Sequence, residues 1–364
     1  MMNDQSSFVP VSLRSRETPA SNPVRLNVDP SPMPLSGPLV DSYGRVHSDL
    51  RISVTDRCNL RCTYCMAEEG MTFLPRTEVL TFEEISRVAK VARGVGVTSV
   101  RLTGGEPLVR KNIVQLVAQI ATLGFEDLAL TTNGIELARF AQPLADAGLH
   151  RVNISCDSLR TERFAQIRRR GELAAVLKAM DAAEAAGLTP LKVNVVVMAG
   201  VNDDEVLDFC SFARAHGRVV RFIEFMPLDA EGQWDRSRVV PAEELVNLIS
   251  ARWPLVPRDP LGADSAPAER YLFADGKGEI GIVASVTRPF CGTCNRLRLT
   301  ADGSLRNCLF SDDELSVRDV LRRDGTDEEL ALVFRRAVWN KRPGHGINDP
   351  GFLRPVRSMS MIGG

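Results

Sequence analysis

The chain has no run of eighteen apolar residues, so no segment reads as a membrane-spanning helix. It also lacks an excess of either charge: 45 Lys and Arg stand against 46 Asp and Glu, a formal net charge of -1. That balance excludes the broad basic field that draws nucleic acid. No G-x4-G-K-[ST] loop occurs, so phosphate groups would have to be met without a Walker-type cradle. The N-terminus lacks the apolar core of a secretory signal. The eight cysteines in these 364 residues are therefore not read as a disulfide framework, which belongs to short secreted chains, and a cytoplasmic location is expected. No internal repeat stands out beyond an alternation of strands and helices.

What is present is thiol in two groups of three. Cys58, Cys62 and Cys65 form C-x3-C-x2-C within eight residues. A [4Fe–4S] cluster has four irons, so three thiolates leave one iron open to a small molecule. Zinc, which asks for four ligands, and three unrelated core thiols are the other readings. Cys291, Cys294 and Cys308 form C-x2-C-x13-C. Taken alone, this second trio fits an iron–sulfur site, half of a zinc site or a redox-active C-x-x-C. Cys156 and Cys210 fall outside both patterns and read as buried thiols.

The first trio follows a β-rich alternation at Arg51–Thr55, which predicts a strand. Thr81, with Glu84 three residues on, predicts a capped helix from Phe82 to Arg93. Further strands are expected at Ser99–Thr103, Asp127–Thr131, Arg151–Ser155, Leu191–Met198 and Val219–Phe225. Helices are expected near Lys111–Leu123, before Gly148, in one long stretch ending at Gly187, and over Asp203–His216. Six such βα units imply a parallel α/β sheet with crossover helices. The cysteines then leave the C-terminal end of the first strand, the face on which barrel folds build their chemistry. After Met226-Pro227 the rhythm breaks. A proline-rich crossing is expected over 253–267, hairpin pieces at Glu269–Phe273 and Gly278–Val286, and a helix near Leu330–Val338. Residues 1–40, rich in Ser, Pro and Asn, read as a flexible leader; 41–265 read as the barrel and 266–364 as a C-terminal region.

C-x3-C-x2-C after a first barrel strand resembles the radical S-adenosylmethionine enzymes. In that family the open iron chelates the amino and carboxylate groups of S-adenosylmethionine, and an electron from the cluster yields a 5′-deoxyadenosyl radical. The two trios together, with Thr55-Asp56-Arg57-Cys58, the stretch Phe290–Arg298 and the terminal Gly363-Gly364, resemble the GTP 3′,8-cyclase family of molybdenum cofactor biosynthesis from about Arg51 onward. The resemblance implies a partial (β/α)6 barrel of the radical S-adenosylmethionine type, with a C-terminal extension carrying a second [4Fe–4S] cluster whose open iron holds guanine. It implies abstraction of the ribose 3′ hydrogen of GTP and closure of C3′ onto C8. It also implies an electron donor, a downstream cyclic pyranopterin monophosphate synthase and, as one arrangement, a homodimer, with no nucleic-acid or membrane partner. A peptide-modifying radical enzyme with an auxiliary cluster and a two-metal nucleic-acid-binding module are the alternatives.

The resemblance also assigns residues. Cys58, Cys62, Cys65, Cys291, Cys294 and Cys308 are the cluster ligands. The Gly104-Gly105-Glu106-Pro107 turn receives the methionyl amino group, with Tyr64, Thr132, Asn133, Ser155 and Met226 around the same cofactor. Arg51, Arg101, Lys192 and Arg221 surround the triphosphate and ribose. Arg296 and Arg298 alternate, so on a strand they point to one side, and they are assigned to substrate and catalysis. Gly363 and Gly364 form an inserting tail that supports activity. Where the family commonly carries a second basic contact near Arg101, this chain has Ser99.

Overall fold

A computed structural model describes residues 33–258 and 267–363. Most of the expected leader, part of the proline-rich crossing and Gly364 lie outside the described residues. The βα rhythm runs through β1 (Asp49–Ser53), α1 (Phe82–Gly94), β2 (Ser99–Thr103), α2 (Ile113–Ala121), β3 (Asp127–Thr132), α3 (Leu137–Asp146) and β4 (Arg151–Ser155). It continues through α4 (Thr161–Arg168), α5 (Leu173–Ala185), β5 (Lys192–Val197), α6 (Val206–His216) and β6 (Val219–Glu224). Beyond these come α7 (Ala242–Arg252), β7 (Leu255–Pro257), β8 (Glu269–Phe273), β9 (Glu279–Val283), β10 (Arg296–Leu299), β11 (Ser304–Arg306) and β12 (Glu314–Ser316). The chain closes with α8 (Arg318–Arg322), α9 (Asp327–Trp339) and α10 (Met359–Ile362).

The strands form one sheet in the order β12-β11-β10-β1-β2-β3-β4-β5-β6-β9-β8-β7. Strands β1 to β6 lie side by side in chain order and all parallel, so each crossover winds the same way and the sheet curves as a partial barrel. The C-terminal pieces do not form a separate layer. β10 pairs parallel with β1, β9 pairs parallel with β6, and the antiparallel strands beyond them extend both edges.

Two local readings change. The long helical stretch after β4 is two helices, because Arg169 (φ 60) and Gly171 (φ 80) take left-handed conformations that break the ladder. The helix α7 lies inside the expected break. The capping box at Thr81 is formed, with Thr81 and Glu84 exchanging side-chain to backbone bonds of 3.1 and 2.7 Å. The end of the expected leader packs against the body. Arg335 of α9 donates to the carbonyls of Pro34, Ser36 and Gly37, and Leu39 is 1% exposed. Among the described residues, no helix is long and apolar enough to cross a membrane.

Strand alternation decides what faces the barrel interior. Leu50, Ile52, Val100, Leu102, Leu128, Leu130, Val152, Ile154, Val193, Val195, Val220 and Phe222 are buried in the main hydrophobic core with the helices. The intervening positions are polar and basic. Arg298, Arg51 and Arg101 sit in register on β10, β1 and β2. Arg296 and Asp49 occupy the register position one inward-facing step earlier. Sequence alternation thus builds a greasy outer layer and a cationic interior from the same strands.

Candidate active site

Both cysteine trios face a single cavity of about 320 Å³ inside the curve of the sheet. Cys58, Cys62 and Cys65 line one part and Cys291, Cys294 and Cys308 another, with Arg51, Arg101, Arg221, Arg296 and Arg298 in the same lining. Among the described residues, no three His, Cys, Asp or Glu side chains converge on a single-ion site.

The first trio sits on the loop leaving β1. Its loop is clasped by the turn after β2: the Gly105 N–H donates to Thr55 O at 2.7 Å and the Glu106 N–H to Arg57 O at 2.8 Å. A Cβ on Gly105 would lie 2.3 Å from Arg57 O, so only glycine permits this backbone approach. Each sulfur has a donor beside it. The Leu60 N–H points to Cys58 Sγ at 3.4 Å, Arg168 to Cys62 Sγ at 3.3 Å, and the Ser360 backbone bonds Cys65. Burial pushes Cys58 up to about 12 and raises Cys62 and Cys65 as well. Such thiols hold their protons unless a metal displaces them, which makes proton release part of metal capture.

Next to this trio Glu106 is buried, and its carboxylate accepts from Thr132 Oγ1 at 2.7 Å and from the backbone N–H groups of Asn133 (2.7 Å) and Leu108 (3.0 Å). Burial raises its pKa to about 7 against the pull of those donors. A carboxylate so placed is stabilised by an incoming ammonium. Tyr64, Gly105, Ser155 and Met226 line the same space.

The second trio spans a short turn and the segment after β11. Burial raises Cys291. Cys294 moves the other way: burial works against the thiolate, but the Arg296 and Lys341 charges outweigh it and bring the thiol to about 6. Between the trios lies the basic floor. Burial, then the neighbouring Arg298 and Arg101, drives Arg51 well below the usual guanidinium range; burial likewise lowers Arg101. The Nε groups of Arg51 and Arg101 are buried with no hydrogen-bond partner. Burial lowers Arg221 to about 9 and Arg298 to about 10. Buried cations with unmet donors fit a polyanion. Lys192 is the one sequence-assigned substrate contact among the described residues that does not line the cavity. It stands just behind, lowered to about 7 by burial and by Arg151, Arg221 and Arg101. Ser99 pairs in register with Asp49 and Asp127, and Asp127 is bound by Arg151.

The tail reaches the site. Gly363 O accepts from Arg298 at 2.6 Å, and a Cβ on Gly363 would lie 2.7 Å from Thr103 Oγ1 and 2.9 Å from Ser53 Cβ. Ile362, fully buried among Leu228, Val239, Val286, Phe310 and Ile347, anchors the segment.

Residues 52–213 match the Radical SAM superfamily, and residues 218–347 match Molybdenum Cofactor Synthesis C. A Streptomyces coelicolor protein named GTP 3′,8-cyclase is 49% identical over 328 residues, covering 90% of this chain and 96% of that protein. A Corynebacterium glutamicum GTP 3′,8-cyclase is 47% identical over 338 residues, covering 90% and 89%. The chain belongs to the GTP 3′,8-cyclase family. Its fold also resembles that of Streptococcus suis SuiB bound to S-adenosylmethionine, with a TM-score of 0.55 at 12% identity over 76% of this chain and 66% of that one.

As a radical S-adenosylmethionine enzyme of this family, the chain uses a [4Fe–4S] cluster and S-adenosylmethionine. The buried trio with N–H donors at its sulfurs, and Glu106 beside it, suit that pair. Sequence reasoning missed several cavity residues. Arg168 bonds Cys62 and pairs with Asp157 at 2.7 Å, and Asp157 also accepts from Tyr64 at 2.8 Å. In the sequence, Arg168-Arg169-Arg170 looks like a solvated charge run; only the helix end buries its first member. Lys341 and Arg45, beside the second trio, carry no signal of that placement, because the groups of the trio and its loop that they bond lie more than forty residues away.

Proposed function

We propose that this chain is a GTP 3′,8-cyclase: it takes the 3′ hydrogen of the GTP ribose, closes C3′ onto guanine C8 and, after one electron and one proton, releases (8S)-3′,8-cyclo-7,8-dihydro-GTP for molybdenum cofactor biosynthesis. The observation that carries this reading is the single cavity, with a cysteine trio at each side and an unsatisfied basic floor between them. S-adenosylmethionine with its cluster supplies the hydrogen-abstracting carbon radical.

The residues of the chain do the positioning. Cys58, Cys62 and Cys65 hold the first cluster. Glu106, with Thr132 and Asn133 bonded to its two oxygens, receives the methionyl ammonium, and Tyr64, Gly105, Ser155 and Met226 frame the rest. Cys291, Cys294 and Cys308 hold a second [4Fe–4S] cluster with an iron left for guanine. Arg51, Arg101 and Arg221 meet the triphosphate, with Lys192 behind them as the further cation where Ser99 supplies none. Arg296 and Arg298 lean over the substrate, and Gly363 closes the cavity against Arg298; the terminal Gly363-Gly364 pair supports activity. Holding the reacting carbons together and keeping water out supplies much of the rate and protects the radical.

Residues 41–265 act as the radical-forming part and 266–364 as the substrate part. An electron donor reduces the first cluster, a cyclic pyranopterin monophosphate synthase consumes the product, and the enzyme works in the cytoplasm, with a homodimer compatible with all of this. The test is anaerobic incubation of the reconstituted protein with GTP, S-adenosylmethionine and a reductant. An isomer of GTP should form together with 5′-deoxyadenosine. Production of 5′-deoxyadenosine without any new nucleotide would send the search toward a peptide substrate.

A further inference from the structure

Two buried cations beside the second trio have no part in the roles assigned so far. Lys341 is 4% exposed and follows directly on the C-terminal end of α9. Its ammonium donates to Cys294 Sγ at 3.2 Å and to Arg296 O at 3.0 Å. Among the described residues, no carboxylate pairs with it, and Arg296 adds a second positive charge nearby. A buried ammonium needs a negative partner. Among the described residues the anionic partners in its reach are cysteine sulfurs, Cys294 in hydrogen-bond contact and Cys308 beyond it, and such a sulfur is fully anionic when it ligates a metal.

Lys341 does not reach that position by itself. Arg45 clamps the loop that carries it. The Arg45 guanidinium donates to the carbonyls of Cys291 (2.7 Å), Pro343 (3.0 Å) and Arg342 (2.7 Å), and its Nε to Asp41 at 2.6 Å. Asp41 in turn is bonded by His47, which is fully buried. Arg45 therefore ties the first residue of the cysteine turn and the 341–343 loop into one piece. The clamp sets the distance between Lys341 and Cys294.

We propose that Lys341, positioned by Arg45, sets the electron affinity of the cluster held by Cys291, Cys294 and Cys308. The inference rests on the second-cluster reading. A hydrogen bond from a cation to a cluster sulfur draws charge off the iron and favours the reduced state. Lys341 is in this sense a positioning and tuning residue; the Arg296 side chain, at the start of β10, also faces the Cys294 sulfur and lines the cavity.

The experiment is an EPR-monitored redox titration of the full-length, anaerobically reconstituted protein. The first cluster is recognised by its spectral response to S-adenosylmethionine. In Lys341→Met the second cluster should become harder to reduce, with a shifted spectrum, while the first keeps its potential. Lys341→Arg should recover most of the shift, and Arg45→Gln should reproduce part of it. An unmoved second-cluster potential in Lys341→Met overturns the tuning role. Should Lys341→Met fail to retain its second cluster, Lys341→Gln, which keeps an N–H donor without the charge, is read instead and should fall between Met and wild type. Loss of the cluster in both, with retention in Lys341→Arg, would make Lys341 a retention device and likewise overturn tuning. Iron and sulfide for only one cluster in the wild type would instead defeat the second-cluster reading itself.

Discussion

Lys192 gives the proposed phosphate site a pH signature at the scale of a single residue. Burial and the surrounding Arg151, Arg221 and Arg101 lower it to about 7, below its value of 10.5 in an open chain. Between those values the unfolded chain binds the extra proton, so the lysine costs stability below pH 7 and stability rises as pH climbs through that window. A bound triphosphate reverses the local charge and pulls the lysine back up. At pH 8, GTP binding should therefore take up about one proton, read by calorimetry in buffers of different ionisation enthalpy. Lys192→Met should abolish the uptake and weaken GTP binding; equal uptake in both proteins would place the phosphates elsewhere. The two trios are separable in the same way. Cys58→Ala should end 5′-deoxyadenosine formation altogether, because the remaining thiols outside the trios, Cys156 and Cys210, do not line the cavity. Cys294→Ala should keep about half the iron and some uncoupled 5′-deoxyadenosine while losing cyclisation, as anaerobic product analysis and iron determination would show.

The tail is the element on which the account takes most risk. Gly363 fits between Ser53 and Thr103 with no room for a methyl group, and its carbonyl holds Arg298. Gly363→Ala, or deletion of both terminal glycines, should lower turnover on the order of a hundredfold, as misplacement of reacting groups does. S-adenosylmethionine affinity and iron content should stay near wild type. Equal turnover in wild type, deletion and C-terminally extended protein would make the double glycine a bland terminus. What the sequence made legible follows the same scale. The cysteine spacings, the six βα units and the alternation of Arg296 and Arg298 are local, and local patterns survive folding. The parallel pairing of β10 with β1 is not local: it joins Arg51 to Arg298 across most of the chain, and no sequence period announces it. The helix α7 carries its own signal, Glu243-Glu244 after Pro241 and then Leu245 and Ile249 on one buried face, which the break in the βα rhythm masked. Arg168, Arg45 and Lys341 were hidden because a buried cation is defined by partners that only the fold brings near.

At the scale of the whole molecule, one sheet performs two tasks. Its outer alternation packs under helices, and its inner alternation presents a basic floor between two thiol groups. The strands β10 and β9 extend the parallel sheet at either side, and the second trio sits on the turn before β10 and the segment after β11, so the C-terminal region continues the sheet rather than standing beside it. On the proposal made above, the radical formed at the first trio reaches the ribose of a GTP molecule held at the second. The most direct measurement uses GTP carrying deuterium at C3′ in a single anaerobic turnover with S-adenosylmethionine and a reductant. The deuterium should appear in 5′-deoxyadenosine and be absent from the cyclised nucleotide. Deuterium retained in the nucleotide, with unlabelled 5′-deoxyadenosine, would contradict it.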